Sequence, residues 1–219
     1  MWIIVKKLGL QSYSIRDVFK TEDDIKFALS ELARYGYTEI EIADFFIDPV
    51  KTAQIARQEG IKIIGSHHYN WNKMLKNPDE VIEVHKAVGA EFIAVGGQSE
   101  AFASGDTLTE FVERANDIGK RFAEHGMKFV YHNHHKEFKK LDGKCCYFYL
   151  ADGFNEKYAM LEFDVYWAQF AGIDVCDLIR KLKKKIGIIH LKDMLPCYHP
   201  DDYWFSDMCE VGYGNINFE

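Results

Sequence analysis

The chain has 219 residues, of which 47% are hydrophobic and 28% are charged, so it can bury a sizeable core and is not disordered or of low complexity. It carries 27 basic and 34 acidic residues, a formal net charge of −7. Such an acidic chain is a poor candidate for sequence-independent nucleic-acid binding, which needs a basic surface. No apolar run approaches the roughly 20 residues of a membrane span, and the N-terminus lacks a signal-peptide pattern. With five cysteines and no CxxC spacing, we expect a reduced, cytoplasmic protein that binds neither nucleic acid nor membrane.

Short apolar runs that end in polar residues recur along the chain and are predicted β-strands. They cover residues 8–13, 39–42, 61–65, 92–96, 128–131, 159–163 and 186–189. Their starts lie about 30 residues apart, the spacing of repeated strand–helix units.

Segments with helical periodicity separate most of these runs. Helix-start residues open five of them: Thr21 with Asp24, Pro49, Asn77 with Pro78, Thr107 with Glu110, and Asp174. Glycines that can end helices follow four of them: Gly36, Gly60, Gly126 and Gly187. The connection after the fifth strand is predicted as a turn at Asp142 and Gly143, followed by a short helix over residues 146–150.

Strands that alternate with helices predict an α/β fold with a parallel sheet. Seven units in a row without a linker, and without a G-x-G-x-x-G motif after the first strand, favour a (β/α)8 TIM barrel over an open doubly wound sheet. A complete barrel takes about 250 residues. We therefore expect a single barrel domain over residues 1–219, truncated at its C-terminus to about seven βα units, with unpaired sheet edges that could support a homo-oligomer.

Polar residues follow the predicted strands, at the barrel face that carries the chemistry in this fold. They are Gln11, Glu41, His67, His68, Gln98, His132, Asn133, His134, His135, Asp164, His190, Lys192 and Asp193. Most of the nine histidines lie in this set. The sequence therefore predicts a functional site there.

Asp164 and His190 end two consecutive predicted strands, in the segments LEFD and IIHLKD. Neighbouring strands lie about 4.8 Å apart, so the two side chains can converge. A carboxylate with an imidazole suits one divalent ion (Mn, Co, Zn or Mg). The alternative is a simple Asp–His hydrogen bond.

The segment YHNHHKEF, residues 131–138, holds three imidazoles and a carboxylate. Strand alternation places His132 and His134 on one face, with Glu137 just beyond the strand. These groups can supply a metal ligand, a general base and a hydroxyl binder. The alternative is a loop whose histidines bind only water or backbone.

Three further residues have two readings each. Lys192 can stabilise an enolate or bind an anion, or it can pair with Asp193. His67 in GSHHYNWN and Trp167 can line a sugar-binding wall, or they can be packed rim and core residues.

The segments SYSIRD, YHNHHKEF, FDVYWAQFAG, HLKD and EVGYGNI resemble, in order and spacing, the xylose-isomerase-like TIM-barrel superfamily, most closely its sugar phosphate isomerase/epimerase branch. The resemblance implies a single divalent ion at the strand ends and proton transfer through an enediolate. Asp164 and His190 match the ligands after the sixth and seventh strands. Many relatives have a Glu after the fifth strand, where this chain offers His132 or Glu137. The Glu of an eighth strand has no counterpart here, and Trp167 replaces a His of some relatives.

The leading hypothesis is a metal-dependent isomerase or epimerase that acts on a small sugar or sugar phosphate. In it Asp164, His190 and Glu137 are metal ligands, and Glu137 or His134 removes the proton while Lys192 steadies the enediolate. His67, His132 and Trp167 bind the substrate. The alternatives are a non-catalytic truncated barrel or sugar-binding relic, and an endonuclease IV-like DNA-repair enzyme.

Overall fold

The computed structural model describes residues 7–67, 70–197 and 206–218, so the predicted site residue His68 lies outside the described residues. Strands in this part of the chain are β1 (Gly9–Gln11), β2 (Glu39–Ile42), β3 (Lys62–His67), β4 (Phe92–Gly96), β5 (Lys128–His132), β6 (Lys140–Leu141), β7 (Lys144–Cys145), β8 (Ala159–Asp164), β9 (Ile186–His190), β10 (Asp193–Pro196) and β11 (Ser206–Cys209). The α-helices are α1 (Glu22–Arg34), α2 (Pro49–Gln58), α3 (Trp71–Lys76), α4 (Pro78–Val88), α5 (Gly105–Ala123), α6 (Cys146–Gly153), α7 (Val165–Phe170) and α8 (Val175–Leu182).

Seven strands form one parallel sheet in the order β1-β2-β3-β4-β5-β8-β9, with helices between them. All seven predicted strands are present, and the predicted TIM-barrel class is confirmed. The sequence order equals the spatial order because each helical connection returns the chain to the next parallel position.

Most helix starts follow the predicted capping chemistry. Thr21 and Asp24 form a reciprocal capping box at α1, with each side chain bonded to the other residue's N–H. Pro49 is in the first turn of α2, and Asp174 caps α8 through the N–H of Asp177. These polar side chains satisfy N–H groups that have no partner inside a helix.

Two helix ends differ from prediction. Helix α5 begins at Gly105 rather than at Thr107, because Ser104 and Thr107 exchange hydrogen bonds that place the cap earlier. Gly187 does not end a helix: α8 stops at Leu182 and Gly187 lies inside β9.

Three short elements were not predicted in full. The turn at Asp142 and Gly143 has positive φ at both residues, 50° and 82°, and closes the β6–β7 hairpin. Helix α3 precedes α4, and β10 pairs antiparallel with β11.

The chain divides into two compact units, residues 1–95 with 121–129, and residues 96–120 with 130–219. In the first unit, apolar residues of α1, α2 and the adjoining strands form one core, including Ile25, Leu29, Ile40, Ala53 and Ile63. These are the apolar faces that the helical and strand periodicities predict.

Buried aromatic residues contact one another in the interior of the second unit. Tyr131 of β5 contacts Phe102 and Phe111, with ring centroids 5.9 and 5.3 Å apart. Tyr147 of α6 contacts Phe163 of β8 at 6.1 Å. This packing fixes the strands that carry the site described below. Within the described residues, no helix combines the length and apolarity of a membrane span.

Candidate metal centre and active site

Three buried side chains converge at the ends of β5, β8 and β9 in the second unit. Asp164 and His190 are directly paired residues of the parallel β8–β9 ladder, and Asp164 Oδ2 lies 3.7 Å from His190 Nδ1. His132, the last residue of β5, places Nε2 3.2 Å from the same oxygen. One possible ligand atom from each residue lies within 4.8 Å of the other two. The predicted pair is thus brought together, with His132 as its third member.

Backbone contacts hold Asp164 in position. Asn133, which is fully buried, accepts a hydrogen bond from the Asp164 N–H at 3.0 Å and donates one to the Asp164 carbonyl at 3.2 Å. Asp164 also caps α7, because its Oδ1 accepts the N–H of Trp167 at 3.2 Å. Oδ2 is therefore the oxygen that faces the histidines. No role for Asn133 was predicted from the sequence, although it lies between His132 and His134.

Lys192 neutralises the buried carboxylate. Its Nζ lies 2.6 Å from Asp164 Oδ2, which favours the site reading of Lys192 over an ion pair with Asp193. Burial alone would raise the pKa of Asp164, but hydrogen bonds from His132 and His190 and the charge of Lys192 hold the pKa well below its usual range. Asp164 is therefore a carboxylate at any ordinary pH.

Glu162 is a site residue that the sequence reasoning missed. It is fully buried in β8, and its Oε1 lies 2.6 Å from His190 Nε2. This contact leaves Nδ1 as the His190 nitrogen on the side of Asp164, an arrangement in which a carboxylate orients a histidine ligand. The signal was in the sequence: Glu162 is two residues before Asp164, so strand alternation places both on one face.

Glu137 does not join the three converging residues. One carboxylate oxygen accepts the hydroxyl of Tyr131 at 2.9 Å and the other accepts the backbone N–H of His134 at 2.9 Å. The side chain is 1% exposed. Of the two fifth-strand candidates left open by the sequence, His132 lies with Asp164 and His190, whereas Glu137 holds the 131–138 segment together.

His134 lies beside the converging residues. Its ring packs edge-on against His132 at 4.8 Å and against Trp167 at 5.4 Å. Burial, reinforced by coupling to His132 and by the charge of Lys192, lowers the pKa of His134 to about 4. The imidazole is therefore neutral at pH 7.

His67 lies in the first unit, at the end of β3. Its Nε2 is 2.9 Å from Oε1 of Glu41 in β2, and both side chains are largely buried. Glu41 itself is paired with Gly65, two residues before His67. The predicted substrate-binding role of His67 stays a prediction.

Asp193 serves a different purpose from its neighbour Lys192. Its carboxylate accepts four backbone N–H groups at 2.8–3.0 Å, from Met194, Gly212, Gly214 and Ile216. It thereby anchors the EVGYGNI segment rather than the candidate metal centre.

The donor set fits a catalytic divalent-metal site. One carboxylate and two imidazoles are ligands for zinc and for the borderline first-row metals, and three protein ligands leave a coordination position for substrate or water. Lys192 Nζ contacts Asp164 Oδ2, the oxygen that faces the histidines, which indicates that this oxygen favours a positive charge beside it.

A protein-family model described as xylose isomerase-like TIM barrel matches residues 29–219. The chain belongs to this family. No protein of curated function matches the chain significantly.

Solved structures share the fold. A sugar phosphate isomerase/epimerase from Parabacteroides distasonis has 23% sequence identity and a TM-score of 0.76, with 87% of this chain and 76% of that chain covered. The probable 3-DHS dehydratase AsbF from Bacillus anthracis has 16% identity and a TM-score of 0.73, covering 97% and 86%. The IOLI protein with a binding zinc atom has 18% identity and a TM-score of 0.64, covering 96% and 81%. An AP endonuclease, family 2, from Brucella melitensis is also among the matches. At these identities the likeness establishes the fold, and the fold alone hosts several reactions.

Proposed function

We propose that this member of the xylose isomerase-like family is a divalent-metal-dependent sugar isomerase or epimerase that acts by proton transfer through an enediolate. The observation that carries the proposal is the buried set of His132, Asp164 and His190 at the ends of three barrel strands. A neutral imidazole and a cationic amine, His134 and Lys192, stand beside it. The isomerase/epimerase name of a structural neighbour supports the same reaction class.

His132, Asp164 and His190 are the proposed ligands. A divalent ion held there would supply a Lewis acid that polarises carbonyl and hydroxyl oxygens of a sugar. Glu162 orients His190 for this task, and Asn133 fixes Asp164. The zinc atom in the IOLI structure supports metal binding in this family fold.

His134 is the proposed general base, in preference to Glu137. Its ring lies beside His132, and its Nδ1 has no hydrogen-bond partner in the described part of the chain, so this nitrogen is not already engaged by the protein. Glu137 instead holds the main chain of His134 and is proposed as a positioning residue. Such a base contributes typically 10²–10⁴-fold to the rate.

Lys192 and Trp167 complete the proposed site. Lys192 is partly exposed, so its ammonium can turn from Asp164 to a negative charge that develops on the substrate. Trp167, half-buried next to His134 and His135, offers a flat surface for a sugar ring.

Deuterium uptake tests the proposal. The protein is treated with a chelator, reloaded with Mn²⁺, Co²⁺, Zn²⁺ or Mg²⁺, and incubated in D₂O with pentuloses, hexuloses and their phosphates. Proton NMR should show exchange at the carbon next to the carbonyl only with metal present. His134→Gln should slow this exchange by about 100-fold or more. His125→Gln, on an exposed turn, is the matched control and should not.

The alternatives predict other outcomes. A sugar-binding relic would bind a sugar without any metal-dependent exchange, and an endonuclease IV-like enzyme would cleave abasic-site DNA in a salt-sensitive manner. The absence of metal-dependent exchange across the whole panel would contradict the proposal.

A further inference from the structure

A second feature of the same unit is a cavity of about 550 Å³ beside the 131–138 segment. Its walls combine three phenyl rings with three basic side chains: Phe102, Phe138, Phe170, His135, Lys136 and Lys139. The remaining lining residues are Ser99 and Ala171, so no carboxylate lines the cavity. The lining therefore favours a ligand that has both a flat apolar surface and negative charge.

The two lysines have no carboxylate partner within the described residues. Some other lysines of this acidic chain pair with carboxylates, as Lys144 does with Asp152 at 2.6 Å. Lys136 and Lys139 are exposed and form none of the described ion pairs, so both ammonium groups are available to an anion. Two neighbouring cations without an acid between them create a local positive potential.

His135 adds a polar group that lacks a protein partner. Its Nδ1 is shielded from solvent and has no hydrogen-bond partner in the described ranges. The ring is held between Trp167 at 5.6 Å and Phe170 at 5.3 Å. Because buried polar groups are nearly always hydrogen-bonded in native proteins, an orphan nitrogen in a residue that lines a cavity favours a ligand position beside that residue.

Trp167 connects this cavity to the candidate metal centre. Its ring contacts His134, which packs on His132, and it also contacts His135 on the cavity wall. A ligand that reaches past Trp167 could therefore contact both places.

We propose that this cavity is an anion-binding subsite that takes the negatively charged end of the substrate, a phosphate or a carboxylate. The inference rests on the proposed function, because it assigns the reacting end of the same substrate to the metal centre. Lys136 and Lys139 supply the charge, and the phenyl rings contact the carbon skeleton. The substrate class is thereby an acidic sugar derivative rather than a neutral sugar.

Binding of small aromatic anions to the chelator-treated protein tests the subsite without the metal centre. The probes are phenyl phosphate, phenylacetate and the neutral benzyl alcohol, titrated by calorimetry at low ionic strength. We expect phenyl phosphate or phenylacetate to bind more tightly than benzyl alcohol, and the stronger of the two identifies the anion. Replacing both lysines, Lys136→Ala with Lys139→Ala, should weaken anion binding at least fivefold, whereas Lys136→Arg with Lys139→Arg should retain it.

The matched control removes the same charge elsewhere, with Lys140→Ala and Lys157→Ala, two exposed lysines outside the cavity. Equal weakening by both double variants would assign the effect to net charge and overturn the subsite. Equal affinity for the anions and benzyl alcohol would overturn it as well. The binding measurement uses protein without metal, so a negative result for the subsite does not bear on the proposed metal chemistry. Likewise, an absence of metal-dependent deuterium exchange would not change the result of the anion titration.

Discussion

Asp164 is held by its own backbone as much as by its side chain. The Asn133 amide spans the ends of β5 and β8 with two hydrogen bonds to the Asp164 peptide groups, and both residues are fully buried. Asn116 makes a similar double bridge, to the Gly153 carbonyl and the Asn155 N–H, but on the exposed surface. The two asparagines allow a position-specific comparison.

Asn133→Ala is expected to weaken metal binding at least tenfold and to lower the free energy of unfolding by about 1–3 kcal/mol, because it leaves a buried N–H unsatisfied. Metal titration and urea denaturation measure the two effects. Asn116→Ala removes an equivalent bridge away from the centre and should leave metal affinity unchanged. Equal metal affinity of both variants would contradict a positioning role for Asn133.

Tyr131 and Tyr147 are both fully buried, but only Tyr131 has a hydroxyl partner, Glu137, among the described residues. Burial and nearby carboxylates raise the pKa of both hydroxyls well above the usual value, so both stay protonated. Tyr147→Phe should therefore leave the melting temperature unchanged or raise it, since an unpartnered buried hydroxyl is lost. Tyr131→Phe should lower stability by about 1–3 kcal/mol, because it removes a bond to a buried carboxylate. A larger loss of stability in Tyr147→Phe than in Tyr131→Phe would refute this interpretation.

At the level of residues, the sequence predicts which side chains come together where strand ends set the geometry, while the roles of these side chains stay predictions. Asp164, His190 and His132 are the last residues of their strands, so their convergence follows from the parallel topology. Glu162 was not predicted because it lies inside β8 rather than at the end of the strand. The position of Glu137 depends on a turn that brings it back to Tyr131 and His134, and no periodicity encodes such a turn.

At the scale of elements, Asp193 organises the segment that follows β11. Its carboxylate binds the N–H of the next residue and three N–H groups about 20 residues ahead. Burial would raise the pKa of Asp193, but these hydrogen bonds outweigh it, so the pKa is lowered. A pKa below that of the unfolded chain means that the carboxylate stabilises the fold above about pH 4 and that this stabilisation is lost as pH falls through the folded pKa.

Asp193→Asn should destabilise the protein at pH 7, since an amide cannot accept all four N–H groups. The difference in unfolding free energy from the unaltered protein should shrink as the pH falls below about 4, the ordinary carboxyl pKa, toward the lowered folded pKa. Asp174→Asn is the control, because asparagine caps a helix about as well as aspartate. If the difference in unfolding free energy between Asp193→Asn and the unaltered protein were constant from pH 3 to pH 7, the charged carboxylate would not be the cause of the destabilisation.

Elements with local signals were predictable and elements made by distant contacts were not. The capping box at α1 and the turn at Asp142 and Gly143 are each determined by residues at most three positions apart in the sequence. The β10–β11 pair lies beside Asp193, which binds groups far along the chain, and α3 is a helix of six residues, too short to show a helical periodicity.

At the scale of the whole molecule, the fold follows from a repeated pattern rather than from any single motif. Seven strand signals about 30 residues apart sufficed for the barrel class, because parallel strands with helical connections have few other arrangements. The reaction cannot be read from the same pattern, and the fold neighbours carry isomerase, dehydratase and endonuclease names. The chemistry depends instead on a few side chains at the strand ends.

The most direct test is the position of a bound metal. A crystal of the chelator-treated protein, soaked in zinc and measured at the zinc absorption edge, should show an anomalous peak about 2.0–2.2 Å from an oxygen of Asp164 and from ring nitrogens of His132 and His190. Such a peak should vanish in Asp164→Asn crystals. A strong peak elsewhere, with none at these three side chains, would contradict the account.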